Sequence, residues 1–181
     1  MGEATTKYAG KGKATDFELP GVDGKTHSLK ELAAKKAVII IFSCNHCPYV
    51  QAYEDRIIRI QKDYADKGVQ IAAINSNEDL NHPDDSFENM VKRAKEKKFN
   101  FLYLRDESQK VARDYGATHT PHIFLFDQDR KLRYTGKIDD NWQDPPKVTQ
   151  QYLRQALDAV LACKEVPEPQ TFAIGCTIKW K

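Results

Sequence analysis

Hydrophobic and polar positions along this chain switch between two periods. Val38-Ile39-Ile40-Ile41 is apolar without interruption, so the strand it predicts, about 37–42, is covered on both faces. Directly afterwards Val50, Tyr53, Ile57, Ile60 and Tyr64 recur at three- and four-residue steps. That spacing predicts a long helix from about Cys47 to Asp66, stopping at Lys67-Gly68, a basic last turn followed by a glycine. Val69 to Ile74 is the next predicted strand. Upstream, Asp16–Pro20 and Lys25–Leu29 flank Gly21-Val22-Asp23-Gly24, whose Asp-Gly signals a hairpin. Ser28 is placed to cap a short helix over Leu29–Ala33.

Downstream, Asn75 to Pro83 is polar and reads as a loop. Asp85 with Glu88 three residues later resembles a capping box, and Phe87, Met90, Val91 and Ala94 form the apolar stripe of the next helix. Phe101–Leu104 reads as a strand, and Ser108–Tyr115 as a short helix closed by Gly116. His122–Phe126 and Leu132–Gly136 are strands joined by Asp127-Gln128-Asp129-Arg130, a turn too short for a crossover, so the pair is antiparallel. Pro145 and Pro146 are read as starting the last helix, with Val148, Tyr152, Ala156 and Val160 facing the core. The order is β-hairpin, βαβ, an inserted αβ unit, then α, ββ, α. It predicts a single α/β domain over residues 1–181, with its core at about 14–162 and an extended tail at about 165–181.

Composition narrows the function classes. A chain of 181 residues with 40% hydrophobic and 30% charged residues suits one well-cored domain. The net charge of +2, with Lys92, Lys95, Lys97 and Lys98 interleaved by Glu96, reads as a solvated helix face and predicts no nucleic-acid partner. The longest apolar run is strand-sized, so no membrane span is expected. The first sixteen residues are polar and lack the apolar region of a secretory signal. Met1-Gly2-Glu3-Ala4-Thr5-Thr6 fits the loose myristoylation pattern, with no second anchor to support it. Four cysteines, two of them in a C-x-x-C, suit a reducing compartment, and the cytoplasm is the expected location.

That C-x-x-C, Cys44-Asn45-His46-Cys47, lies between the buried strand and the long helix. Unpaired N–H groups and the helix dipole favour a thiolate at such a junction. The second sulfur is close enough to close a disulfide with the first, which makes the pair a two-electron couple. Cys44, preceding the helix, is expected to be the more exposed, attacking thiol, and Cys47 the one that releases the mixed disulfide. His46 between them is expected to tune the couple by its partial charge. A zinc site is disfavoured, because no second C-x-x-C or His pair completes four ligands. No metal or cofactor is expected.

The element order, Asp16-Phe17-Glu18-Leu19-Pro20, the Cys44–Cys47 motif and Thr118-His119-Thr120-Pro121 resemble the thioredoxin-like superfamily. Within it the chain is similar to redoxins of the alkyl hydroperoxide reductase/thiol-specific antioxidant type, including peroxiredoxin-like bacterial redoxins with C-N-H-C-P-Y and a G-C-x-I-K-W tail. The resemblance implies a thioredoxin-like fold and a thiol–disulfide oxidoreductase. Its partners would be a disulfide-bearing protein or small-thiol substrate and a reducing system. It also implies a cis Thr120–Pro121 bond beside the sulfurs, where Thr120 and Pro121 would offer backbone groups to a substrate strand. Glu78 is the candidate proton acceptor for Cys47, because the buried acid of thioredoxin's central strand is replaced here by apolar Val38–Phe42. Antioxidant peroxidase activity is the alternative. However, the threonine or serine and the proline of the peroxiredoxin pattern fall on Cys44 and Ile40. A copper carrier using Cys44, Cys47, His119 and His122 is the remaining alternative, set against reading both histidines as surface or strand-edge groups.

Cys176, within the motif-like Gly175-Cys176-Thr177-Ile178-Lys179-Trp180, invites a role as a third, resolving thiol, but is expected to be structural. Phe172, Ile174, Cys176, Ile178 and Trp180 share one parity, which puts Cys176 on the apolar face of an extended tail anchored by Trp180. A cysteine so placed would be inert, and Cys163 a bystander.

Overall fold

The computed structural model describes residues 12–181, so the myristoylation pattern lies outside the described residues. β1 (Glu18–Pro20) and β2 (Thr26–Ser28) pair as the antiparallel hairpin, with Gly24 at φ 80° in its turn. The Ser28 hydroxyl accepts from the Glu31 N–H at 3.4 Å, beside a 3-10 turn over Lys30–Leu32. β3 (Ala37–Ser43) is buried along its whole length and leads into α1 (Pro48–Tyr64). A 3-10 turn and Gly68, at φ 82°, end that helix before β4 (Val69–Asn75). Next come α2 (Phe87–Lys97), β5 (Leu102–Arg105), α3 (Lys110–Tyr115) and the two-residue β6 (His119–Thr120). β7 (His122–Phe126), β8 (Leu132–Gly136), α4 (Tyr152–Leu161) and β9 (Cys176–Thr177) complete the chain.

The main sheet has the order β5-β4-β3-β7-β8, with β3, β4 and β5 parallel and β7 antiparallel to β3 and β8. The uninterrupted apolar run in β3 is explained by its central position. Ile39 and Ile41 pack on Tyr53, Ile57 and Ile60 of α1 and on Leu153 and Leu157 of α4. Val38, Ile40 and Phe42 point to the opposite face, against Leu19, Leu32, Tyr115 of α3, and Ile178. With each such side chain contributing roughly 1.5–3 kcal/mol when fully buried, this strand anchors both layers. Its carboxyl end is where the C-x-x-C begins.

Three expectations about helices and tail need correction. Pro145–Lys147 forms only a single 3-10 turn; Val148 is extended at ψ 124°, and α4 starts at Tyr152. Asp140 accepts from the Thr149 N–H at 3.0 Å and holds that segment out of the helix. α2 is capped by Ser86, whose hydroxyl accepts from the Asn89 N–H at 3.3 Å, and not by Asp85, which turns inward. Of the α2 stripe, Met90 is buried while Phe87 and Val91 are exposed. In the tail only Ile178 enters the core. Phe172, Ile174 and Trp180 stay exposed, and Trp180 lies under the Arg113 guanidinium at 5.2 Å. Pairing in the tail amounts to Cys176–Thr177 and an isolated bridge of Gln170 with Thr135, too short for a two-residue period to propagate.

Candidate active site

Pro48 occupies the first turn of α1 with its ring-fixed φ, which makes Cys47 the helix N-cap, extended at ψ 124°. The loop that carries the cysteines is held through every polar group of Asn45. Its N–H donates to Asp85 Oδ1 at 2.7 Å and its Nδ2 to the Asp84 carbonyl at 2.8 Å. Its Oδ1 accepts from the Tyr103 hydroxyl at 2.6 Å, and its carbonyl accepts from Gln51 Nε2 at 2.9 Å. Asp85 has no solvent exposure, accepts further from Asn77 Nδ2 at 2.8 Å and Asn75 Nδ2 at 3.3 Å, and lies 2.7 Å from His46 Nδ1. A buried carboxylate so surrounded is costly to disturb, because each partner would be left unpaired.

The two sulfurs of the motif are both buried, Cys44 at 2% and Cys47 at 0% exposure, so the expected contrast in access is absent. Cys44 Sγ lies 3.4 Å from Thr120 Oγ1, and Cys47 Sγ lies 3.4 Å from the Thr120 carbonyl oxygen. The Thr120–Pro121 peptide is cis. Cys47 Sγ also meets Cys176 Sγ at 2.8 Å, so the cysteine expected to be structural is part of the site. β9 pairs antiparallel with β6, placing Cys176 opposite Thr120. The backbone edge that was expected to be open to a substrate strand is therefore occupied by the chain's own tail.

The electrostatics reverse the expected order of the thiols. Donation from the Cys44 S–H is the largest influence holding Cys47 down to about 4, against the opposing effect of burial. Cys176 and the Val50 N–H of the first helical turn act in the same direction. Cys44 is pushed up by that same bond to Cys47, by burial, and by the negative charge of Asp85. Burial, then its contact with Cys47, raises Cys176 to about 11. These influences favour negative charge on Cys47, at the helix N-terminus, and disfavour it on Cys44, which faces the buried carboxylate.

Glu78 does not serve Cys47. Its carboxylate accepts from the Leu80 N–H at 2.9 Å and the Asn81 N–H at 3.0 Å, and meets His82 Nδ1 at 2.5 Å, closing its own loop. The Asn75–Glu78 stretch is buried, not solvated, and Arg105 donates to the Asn77 carbonyl at 2.8 Å beneath it. His122 is a core residue. Its ring packs on Phe124 at 4.5 Å, Nδ1 accepts from the Thr118 N–H at 3.3 Å, and burial pushes it down to about 3. His119 is half-buried, its Nδ1 2.8 Å from the Thr118 hydroxyl. Among the described residues, the donors that converge within 4.8 Å are Cys44, His46 and Asp85, and two of these are already paired with each other.

Sequence reasoning missed Asp85 and set Cys176 aside as structural. The first signal was Ser86, a good N-cap that left Asp85 free for another task. The second was Gly175, which allows the tail to cross another backbone closely.

Residues 9–152 match the redoxin family. No curated protein matches the chain. Among solved structures, an uncharacterized conserved protein from Geobacillus kaustophilus is 40% identical, with a TM-score of 0.91 covering 100% of this chain and 98% of its own. A hypothetical protein from Sinorhizobium meliloti is 39% identical, with a TM-score of 0.88 covering 93% of each chain. A thioredoxin family thiol:disulfide interchange protein from Chlorobium tepidum shares the fold at 20% identity, with a TM-score of 0.65 over 82% of this chain and 95% of its own. With residues 9–152 matched, most of its length, the chain belongs to the redoxin family.

Proposed function

We propose that this redoxin is a thiol–disulfide oxidoreductase working through a Cys44/Cys47 dithiol–disulfide couple. The reading is supported above all by one observation: Cys47 is the N-cap of α1, and both sulfurs of the motif lie 3.4 Å from Thr120 of the cis Thr120–Pro121 peptide. In the forward direction the Cys47 thiolate attacks one sulfur of a substrate R–S–S–R′. A Cys47–S–S–R bond forms, and R′–S⁻ leaves to take up a proton. Cys44 then gives up its proton and attacks Cys47 Sγ, closing Cys44–Cys47 and releasing R–SH. A reducing partner returns the disulfide to two thiols. His46, its Nδ1 2.7 Å from Asp85, would tune the couple from its place between the two cysteines. Thr120 and Pro121 would form the wall against which the substrate disulfide lies. No membrane or nucleic-acid partner enters this reading; among the described residues no helix is long and apolar enough to cross a membrane.

The test is turnover of a small disulfide with dithiothreitol as reductant. Cys47→Ser should lower kcat/KM at least a hundredfold, because the serine hydroxyl is not ionised at neutral pH. Unchanged turnover in Cys47→Ser would overturn the reading. A peroxidase reading has the lowered Cys47 thiol in its favour, since a thiolate is also what attacks peroxide. Against it, a second thiol stands at Cys44 where peroxiredoxins place a hydroxyl. Stopped-flow reduction of hydrogen peroxide no faster than free cysteine is the expected result.

A further inference from the structure

We propose that Cys176 is a third redox thiol of this site, held against Cys47 by the C-terminal tail in the position of a bound substrate strand, and able to resolve Cys47 mixed disulfides. The proposal rests on the thiol–disulfide reading above. Its geometric basis is the 2.8 Å contact between Cys47 Sγ and Cys176 Sγ. A disulfide bond is about 2.05 Å long, so closing it requires a shift of under ~1 Å.

The contact is built, because the tail is tied down on both sides of Cys176. Before it, Gly175 crosses Thr120 so closely that a Cβ there would lie 2.0 Å from the Thr120 carbonyl oxygen and 2.6 Å from its carbon. After it, the Ile178 N–H donates to the Thr118 carbonyl at 3.0 Å and the Ile178 side chain is buried. The Lys179 N–H donates to Asn77 Oδ1 at 2.9 Å, and the Lys179 carbonyl accepts from the Glu78 N–H at 2.8 Å and Gln109 Nε2 at 2.9 Å. Addition of a strand to an exposed backbone edge is a general mode of peptide recognition. Here β9 supplies that strand, and its cysteine is the residue that faces the sulfur. Cys163 takes no part: it is exposed and lies beside Lys36, at the opposite end of β3.

The step balances without any further reagent. In Cys47–S–S–R, the Cys176 sulfur loses its proton and attacks Cys47 Sγ. The Cys47–Cys176 bond forms as the bond to R breaks, and R–S⁻ takes up the proton. Starting instead from Cys44–S–S–Cys47, the same attack gives Cys47–S–S–Cys176 and the Cys44 thiol. Cys47 is then a hub served by two resolving thiols, one on its own loop and one on the tail.

The test uses the full chain in a Cys163→Ser background, mixed with oxidised glutathione and followed by intact mass and peptide mapping. The added change Cys44→Ser should release two equivalents of reduced glutathione, retain no adduct, and carry a Cys47–Cys176 disulfide. Cys44→Ala must give the same result, which guards against a local folding fault. Adding Gly175→Ala to Cys44→Ser should slow the second release at least tenfold, because the strand can no longer approach Thr120. Arrest at one equivalent in both Cys44 variants, with glutathione retained on Cys47 and Cys176 still alkylatable, would overturn the proposal. Formation of Cys44–Cys47 in the Cys163→Ser protein separates that failure from failure of the underlying reading. If that parent protein forms no disulfide at all, both fall.

Discussion

Placing the thiolate on Cys47 has a kinetic signature that can be worked out. An unperturbed cysteine titrates near 8.5, whereas Cys47 is held down to about 4. At pH 6 a free thiol is ~0.3% ionised, so Cys47 carries roughly 300-fold more thiolate. Intrinsic nucleophilicity falls with pKa at a Brønsted slope of about 0.4–0.5, and over this shift that removes roughly a hundredfold. The two factors leave Cys47 about threefold faster than an equally accessible free cysteine at pH 6. At pH 8, where the free thiol is about a quarter ionised, Cys47 should be roughly 25-fold slower. Burial scales both figures equally at every pH, so the profile's shape is the measurement. Pulse alkylation of the reduced protein from pH 3.5 to 9, read by peptide mapping, should give a rate at Cys47 that is flat from about pH 5.5 to 8. Below about pH 4 it should fall tenfold per unit. Cys44→Ala should move the midpoint up most, because the Cys44 donor is the largest influence, and Cys176→Ala should move it up by less. A rate that climbs tenfold per unit through pH 8, or earlier labelling of Cys44 than of Cys47, would refute the assignment.

Asp85→Asn leaves His46 and the Asn45 N–H facing a group that accepts less well, and should cost about 2–4 kcal/mol, lowering Tm by roughly 5–15 °C in differential scanning calorimetry. In chemical denaturation Ile178→Ala should cost about 2–4 kcal/mol, and Trp180→Ala only about 0.5–1 kcal/mol for an exposed ring under Arg113; equal losses would mean the tail is anchored differently. His122 titrates near 3 when folded and about 6.5 when unfolded, so the unfolded chain binds the extra proton in that window and stability falls as pH drops through it. The stability gap between wild type and His122→Phe should therefore change by roughly 3 kcal/mol in the variant's favour from pH 7 to pH 4, and a constant gap would show the imidazole to be hydrated.

The sheet was legible in the sequence because β3 carries its own signature. An unbroken apolar run that must serve two layers fixes a central strand, and the change to helical period at Val50 fixes α1 as its successor. The same logic failed where competition between neighbouring residues decided the outcome. Asp85 and Ser86 are both good N-caps, and nothing local indicated that Asn45, forty positions away, would claim the first and leave the helix to the second. Pro145-Pro146 was a sound helix start by itself, overridden by the tie between Asp140 and Thr149.

The site shows the same division between local and distant causes. Two cysteines at a strand–helix junction announce thiol chemistry from spacing alone, yet which of them ionises depends on what surrounds each sulfur. Cys44 faces Asp85, brought in by the loop after β4. Cys47 faces the first turn of α1 and Cys176, brought in by a tail 129 residues further along the chain. Alternation along 172–180 predicted one apolar face for that tail, whereas its placement comes from backbone hydrogen bonds to Thr118, Asn77, Glu78 and Gln109. Such bonds leave almost no trace in side-chain patterning; the one residue that records them is Gly175, where only a hydrogen fits between the tail and Thr120. Cys47 is fully buried beneath the strand that carries Cys176, so, in the mechanism proposed above, the tail's hold on Thr120 would set both the access to Cys47 and the supply of its second resolving sulfur.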